Sequence, residues 1–74
     1  MDVNAIKPDL RVRIARLEST QGMMINQRHL LCRKLGATGK VRHYVPGHGG
    51  DVWYVAHDDS QDVGAYSYSE LEPE

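Results

Sequence analysis

VPGHGGDVWYVAHDD, residues Val45 to Asp59, is the stretch on which the fold turns. Asp51-Val-Trp-Tyr-Val-Ala-His57 is dense in β-branched and aromatic residues and alternates with a period of two. Val52, Tyr54 and Ala56 face one way, and Trp53, Val55 and His57 the other. Both faces are apolar enough for a central strand. Before it, Gly47-His48-Gly49-Gly50 supplies the conformational freedom of a hairpin loop, with Asp51 placed to accept hydrogen bonds from loop amides. The same stretch invites a second reading. His43, His48, Asp51 and His57 offer nitrogen, nitrogen, oxygen and nitrogen, a donor set suited to zinc if all four converge at about 2.0–2.3 Å. Antiparallel register from a turn near His48 and Gly49 opposes this. It sets Tyr44 opposite Val52 or Trp53 and sends His57 to Lys40 or beyond, away from His43 and the loop.

Outward from this hairpin the pattern stays β. Leu10-Arg-Val-Arg-Ile-Ala15 alternates strictly, with Leu10, Val12 and Ile14 inward and arginines on the solvent face. Lys40 to Val45 places Val41, His43 and Val45 on one face, and Pro46 ends it. Val63-Gly-Ala-Tyr-Ser-Tyr68 is a last strand, and Ser69 to Pro73 a short helical turn or tail. Gly36-Ala-Thr-Gly39 reads as a turn. Met23 to Leu35 is ambiguous between helix and strand. A helix would take Asn26 as its N-cap and stripe Leu30, Leu31 and Leu35 on one side, with Gly36 as the stop. The run is short for a helix, and the expectation is one helical turn near Ile25 to Arg28, then a strand from Leu30 to Lys34. Residues 1–8 are expected to be a flexible N-terminal arm. The sum is all-β: a small barrel of four to five antiparallel strands in one domain. Curling is the way a sheet of this size buries one face.

Seventy-four residues bury only about 60% of the surface their unfolded chain exposes, so the core is thin. Cys32 is the only cysteine, which excludes an internal disulfide and fits a reducing, cytoplasmic setting. No apolar run approaches the ~20 residues of a bilayer span, and arginines interrupt any signal-peptide core. A homo-oligomer remains open as a way to enlarge the core. Charge is lopsided. All nine lysines and arginines lie between Lys7 and Arg42, and seven of the ten acidic residues lie from Asp51 onward. Either basic early strands face acidic late strands, each pair contributing about 0.2–1 kcal/mol, or the cations gather on one face toward a polyanion.

The strand order with Gly36-Ala-Thr-Gly39-Lys-Val41, the Val52–His57 strand and the closing Tyr-Ser-Glu-Leu segment resembles the SH3-like barrel, over about Leu30 to Pro73. The block VPGHGGDVWYVAHDD followed by AYSYSELEP is similar to a small family of uncharacterised bacterial proteins, which implies no activity. The SH3-like type II dihydrofolate reductase family is a further comparison. Its pore strand Val-Gln-Ile-Tyr corresponds to Val63-Gly64-Ala65-Tyr66. The outer positions agree, while the two that contact folate and nicotinamide in that family do not. Its pore lysine would fall near Arg33 or Lys34.

Other chemistry is sparse. Cys32 in a leucine-rich run reads as a small buried hydrophobe rather than a nucleophile. Asp58-Asp59 sits in a polar turn with nothing to raise a carboxyl pKa. GATGK lacks phosphate-loop spacing. No cofactor is implied. The expected role is a non-enzymatic interaction module, protein-binding first and nucleic-acid-binding as the alternative. The candidate surface is Arg11, Arg13, Arg33, Lys34, Arg42, Tyr44, Tyr66 and Tyr68, because cations neutralise phosphate and tyrosines stack on bases or anchor protein contacts. Trp53 or Tyr54 is expected in the core.

Overall fold

The computed structural model describes residues 1–46 and 51–74. Gly47, His48, Gly49 and Gly50, expected as the hairpin loop, lie outside the described residues. Five antiparallel strands form one sheet: β1 (Arg11–Ile14), β2 (Thr38–Val45), β3 (Val52–His57), β4 (Val63–Tyr66) and β5 (Leu71–Pro73), in the order β4-β3-β2-β1-β5. A short helix, α1 (Gln27–Leu31), sits in the long connection between β1 and β2, and 3-10 turns occupy Val3–Ala5 and Tyr68–Glu70. The fold is all-β and barrel-like. Val12, Ile14, Val41, Trp53, Val55, Tyr66 and Leu71 bring all five strands into one apolar cluster, which requires the sheet to curl. The barrel is not closed, because β4 and β5 do not pair with each other.

The central register follows the sequence pattern, with one change. Tyr44 pairs with Trp53, Val45 with Val52, and Gly39 with His57. Between Val41 (opposite Val55) and His43 (opposite Tyr54) the register slips by one residue, so Arg42 is an extra residue in β2. Such a bulge reverses the alternation beyond it. Val41, His43 and Val45 therefore do not share a face as period two predicts. The bulge sets the Tyr44 ring 5.3 Å from Trp53 and the His43 ring 4.8 Å from Tyr54. Trp53 is the ring committed to the core, and Tyr54 is half-buried.

Several expectations need correction. Leu30 to Lys34 is not a strand. The Asn26 side chain accepts the Arg28 N–H at 3.0 Å and caps α1, which ends at Cys32 rather than Gly36. The leucine stripe is not a core face either: Leu31 is 76% exposed and Leu35 is also exposed. The fifth strand comes instead from Leu71–Pro73, read as a helical turn or tail. Residues 1–8 are not a free arm, since Ile6 is buried in the core cluster and the Met1 nitrogen donates to the Tyr68 and Leu71 carbonyls. Gly39, read as turn, lies inside β2. A Cβ there would stand 2.2 Å from the Ala56 carbonyl oxygen, so only glycine permits this approach of β2 and β3. Gly36 does turn the chain, at φ +82°.

Both ends of the sheet are covered. On β4 the Val63 carbonyl accepts from His29 Nδ1 at 2.8 Å and from Cys32 Sγ at 2.9 Å, and the Ala65 carbonyl accepts from Arg33 at 3.1 Å. The β5 end is short, holds Pro73 and receives Met1. Free edges invite pairing with other chains, and covers of this kind prevent it. Among the described residues no helix is long and apolar enough to cross a membrane.

Candidate binding groove

Four basic residues of the first half, Arg11, Arg13, Arg33 and Lys34, meet acidic residues of the second, while Arg16 pairs with Glu18 of its own half. Arg11 reaches across β1 to both sides, donating to Asp58 at 2.8 Å and to Glu74 at 2.8 Å. Arg13 pairs with Glu72, and Lys34 with Asp59 at 2.8 Å. The Arg11 bonds and the Thr38 hydroxyl pull the Asp58 carboxyl down to about 2, and Lys34 lowers Asp59. Neither aspartate is held up as a general acid. Of the candidate cations only Arg42 has no ion pair among the described residues; it is exposed at the bulge.

Arg33 behaves differently. Its guanidinium pairs with Glu70, and both side chains are out of water, at 4% and 0% exposure. A charge buried this deeply is tolerable only when its hydrogen-bonding capacity is filled. Arg33 also donates to the Ala65 and Glu18 carbonyls and lies 5.3 Å from the Tyr66 ring centre. Glu70 accepts the backbone N–H of Glu18 at 2.6 Å and of Ser67 at 2.9 Å. The pair therefore fastens the β1–β2 connection to the turn Tyr68–Glu70. Ser67-Tyr-Ser-Glu70 carries the Ser-x-x-Glu spacing of a helix start, the one signal in the sequence for the Glu70 contact to Ser67.

Tyr66 is corrected from surface to core: it has no exposure. Its hydroxyl accepts the Lys34 N–H at 2.9 Å and lies 2.7 Å from His57 Nε2. With an acceptor role toward Lys34, the phenolic proton is free to donate to an unprotonated Nε2, which places the imidazole proton on Nδ1. Burial lowers the His57 pKa and pushes Tyr66 up to about 12, so both stay neutral. Gly64 and Ala65 are buried beside Tyr66 and Val63 is half-buried, so the two positions aligned with the ligand-contacting pair of the reductase pore strand are interior in this chain.

The zinc reading fails on geometry. His43 and His57 lie four residues apart along the register of β2, roughly 13 Å at ~3.3 Å per residue. His43 is exposed against Tyr54, and His57 is buried against Tyr66. Asp51 accepts the Tyr44 hydroxyl at 2.7 Å, and His48 and the loop amides expected to meet Asp51 lie outside the described residues. Cys32 is half-buried, its thiol donates to Val63, and burial pushes its pKa up, against nucleophilic use.

What remains open is a groove of about 380 Å3. The β1–β2 connection gives it Glu18, Ser19, Gln21 and Met23. The turn before β5 gives Ser67, Tyr68 and Ser69; the start of β3 gives Asp51 and Val52; and the N-terminal turn gives Val3. Its apolar lining is Met23, Val52, Val3 and the ring of Tyr68, which is half exposed. Among the described residues its charged lining is Glu18 and Asp51, and Arg16 approaches the Glu18 carboxylate at 4.0 Å from outside the lining. Ser69 donates to Glu18, and so holds one carboxylate oriented. Of the residues singled out in the sequence, Tyr68 and Asp51 line this groove, and Tyr44 touches it through Asp51. Glu18, Ser19, Met23 and Val52 carry no local signal. They meet because β5 returns onto β1, a long-range pairing that no local pattern encodes. Comparison with protein-family models, curated proteins and solved structures yields no match for this chain.

Proposed function

We propose that this chain is a non-enzymatic protein-interaction module that takes an extended segment of a partner into the groove beside Tyr68. The observation that carries the reading is the lining itself: an exposed tyrosine over Met23, Val52 and Val3, with two carboxylates and, among the described residues, no basic residue. Such a lining favours apolar side chains accompanied by positive charge. Covered sheet ends disfavour strand addition as the binding mode. Protein is favoured over nucleic acid because Arg11, Arg13, Arg33 and Lys34 already hold carboxylates of their own chain. An SH3-like barrel is the finer architecture we infer, supported by the β2-β3-β4 meander, the 3-10 turn and the return of β5 onto β1. A cytoplasmic setting is supported by the single unpaired cysteine.

The test is a titration with a decapeptide alternating leucine and lysine, its glutamate counterpart, and a single-stranded oligonucleotide, followed by backbone amide shifts. The leucine–lysine peptide is expected to move Ser67, Tyr68, Ser69 and Glu18, and Tyr68→Ala to weaken it. Shifts centred on Lys40 and Arg42 with the oligonucleotide, and none with either peptide, would overturn the proposal.

A further inference from the structure

Val3 is a wall of the groove, and it is also a wall of a second, shallower cavity of about 270 Å3 formed with Ile6, Tyr44 and Trp53. A second link joins the two: Asp51 lines the first cavity, Tyr44 the second, and the Tyr44 hydroxyl donates to Asp51 at 2.7 Å. The cavities are therefore neighbours, and the turn Val3–Ala5 with its Val3 side chain divides them.

That divider is lightly held. None of its three residues is buried, and Val3 is 38% exposed. Its hydrogen bonds are internal: Ala5 N–H to the Asp2 carbonyl at 2.9 Å, Ile6 N–H to the Val3 carbonyl at 3.3 Å, and Asn4 N–H to the Asp2 carboxylate at 3.0 Å. Among the described residues its anchors are Met1, bonded to the carbonyls of Tyr68 and Leu71, and Ile6 in the core. Segments with little burial and mostly local hydrogen bonds open at far lower free energy than the sheet.

We infer that residues 1–5 are a displaceable strap, and that its departure joins both cavities into one groove running from Tyr68 past Val52 to Trp53. This rests on the groove being the binding site. The occupant of the joined groove is an extended peptide segment of another protein, with an apolar side chain for each half and neutral or positive charge near Asp51. The strap competes with it, so the apparent affinity for long peptides is reduced by the fraction of molecules with the strap closed.

Trp53 is the only tryptophan in the chain and lies in the second cavity, so its emission reports that half alone. Titration of the full chain with the leucine–lysine decapeptide and with a leucine–lysine tetrapeptide, which fills only the first cavity, gives the test. Removal of residues 2–5 is expected to tighten the decapeptide several-fold and shift Trp53 emission on binding, while the tetrapeptide, which loses the Val3 wall of the first cavity, binds no tighter than before. Equal effects on both peptides, or none, would overturn the strap. Val3→Gly keeps Met1 and Ile6 in place and serves if the deletion does not fold. Amide hydrogen exchange of the full chain needs no peptide. Exchange of the Ala5 and Ile6 N–H groups far faster than that of the β2 and β3 amides supports the strap even if no peptide binds and the groove reading fails; exchange at the rate of the sheet contradicts the strap whatever the peptides do.

Discussion

Arg33 and Arg11 carry the same guanidinium, and each meets a carboxylate from the far end of the chain, but they do so in different media. Arg33 and Glu70 are almost fully buried, surrounded by backbone carbonyls and N–H groups that fill their remaining capacity. Arg11, Asp58 and Glu74 sit a third or more exposed on the outside of the sheet. Coulomb attraction grows as water is withdrawn, but so does the cost of leaving a charge alone. The buried pair is therefore a fastening that fails badly if broken, and the exposed cluster an accommodation of charge that water can replace. The difference also has a functional side. Arg33 holds the connection that supplies Glu18 and Met23 to the groove, whereas Arg11 holds nothing that lines it.

Breaking the buried pair gives the largest expected effect. Arg33→Ala leaves Glu70 charged and unpaired in the interior and should cost about 3–5 kcal/mol in urea unfolding. A domain of this size has roughly 4–11 kcal/mol in total at ~0.05–0.15 kcal/mol per residue. A loss below about 1 kcal/mol would place Arg33 with the surface pairs. Next comes the neighbouring neutral network. Tyr66→Phe removes the hydroxyl from the Lys34 N–H and His57 Nε2, and should cost about 1–3 kcal/mol, with the Phe ring still filling the core. An unchanged urea midpoint would mean that these groups find other partners.

The same network sets both pH limbs. His57 has its pKa lowered from the ordinary 6.5 by burial, so the unfolded chain binds a proton that the folded chain refuses. Stability from this site should fall as pH drops below about 6.5, and His57→Gln should flatten that slope. Tyr66 is pushed up to about 12. The unfolded chain releases its proton near 10 while the folded chain keeps it, so stability should fall as pH rises from about 10 to 12, a limb absent in Tyr66→Phe.

The smallest effect belongs to the exposed cluster. Arg11→Ala should move the melting temperature far less than Arg33→Ala, and less still in high salt. Asp58 should titrate at about 2 in the parent chain and return toward its ordinary value in Arg11→Ala. Since its folded pKa lies below the unfolded one, the stability it adds is present above about pH 4 and disappears as pH falls toward 2.

How much of this was legible in the sequence follows from how local each feature is. Alternation in Leu10–Ala15 and Val52–His57 exposed the strands, and loop counting from His48 placed Tyr44 opposite Val52 or Trp53, of which Trp53 is the partner. The charge asymmetry left ion pairs between early and late strands and a single cationic face as competing readings. The Arg42 bulge was not legible, because an added residue leaves no mark in composition and inverts every face beyond it. Leu30 to Lys34 misled because its helix is fixed by side chains reaching Val63 and Ala65, thirty residues away. The burial of Tyr66, Arg33 and Glu70, and the groove they support, depend on β5 lying against β1. Leu71-Glu-Pro73 is too short to show strand periodicity, so the sequence carried no sign of that contact.

The central claim is that Arg11, Arg13, Arg33 and Lys34 are committed to carboxylates of the second half, which favours binding at the groove beside Tyr68 over binding of a polyanion. Fluorescence anisotropy of a labelled single-stranded oligonucleotide titrated with the full chain at low salt tests it most directly. The account predicts anisotropy that stays at the free value throughout. Tight binding whose logarithm falls linearly with the logarithm of salt concentration, the signature of released counterions, would contradict it.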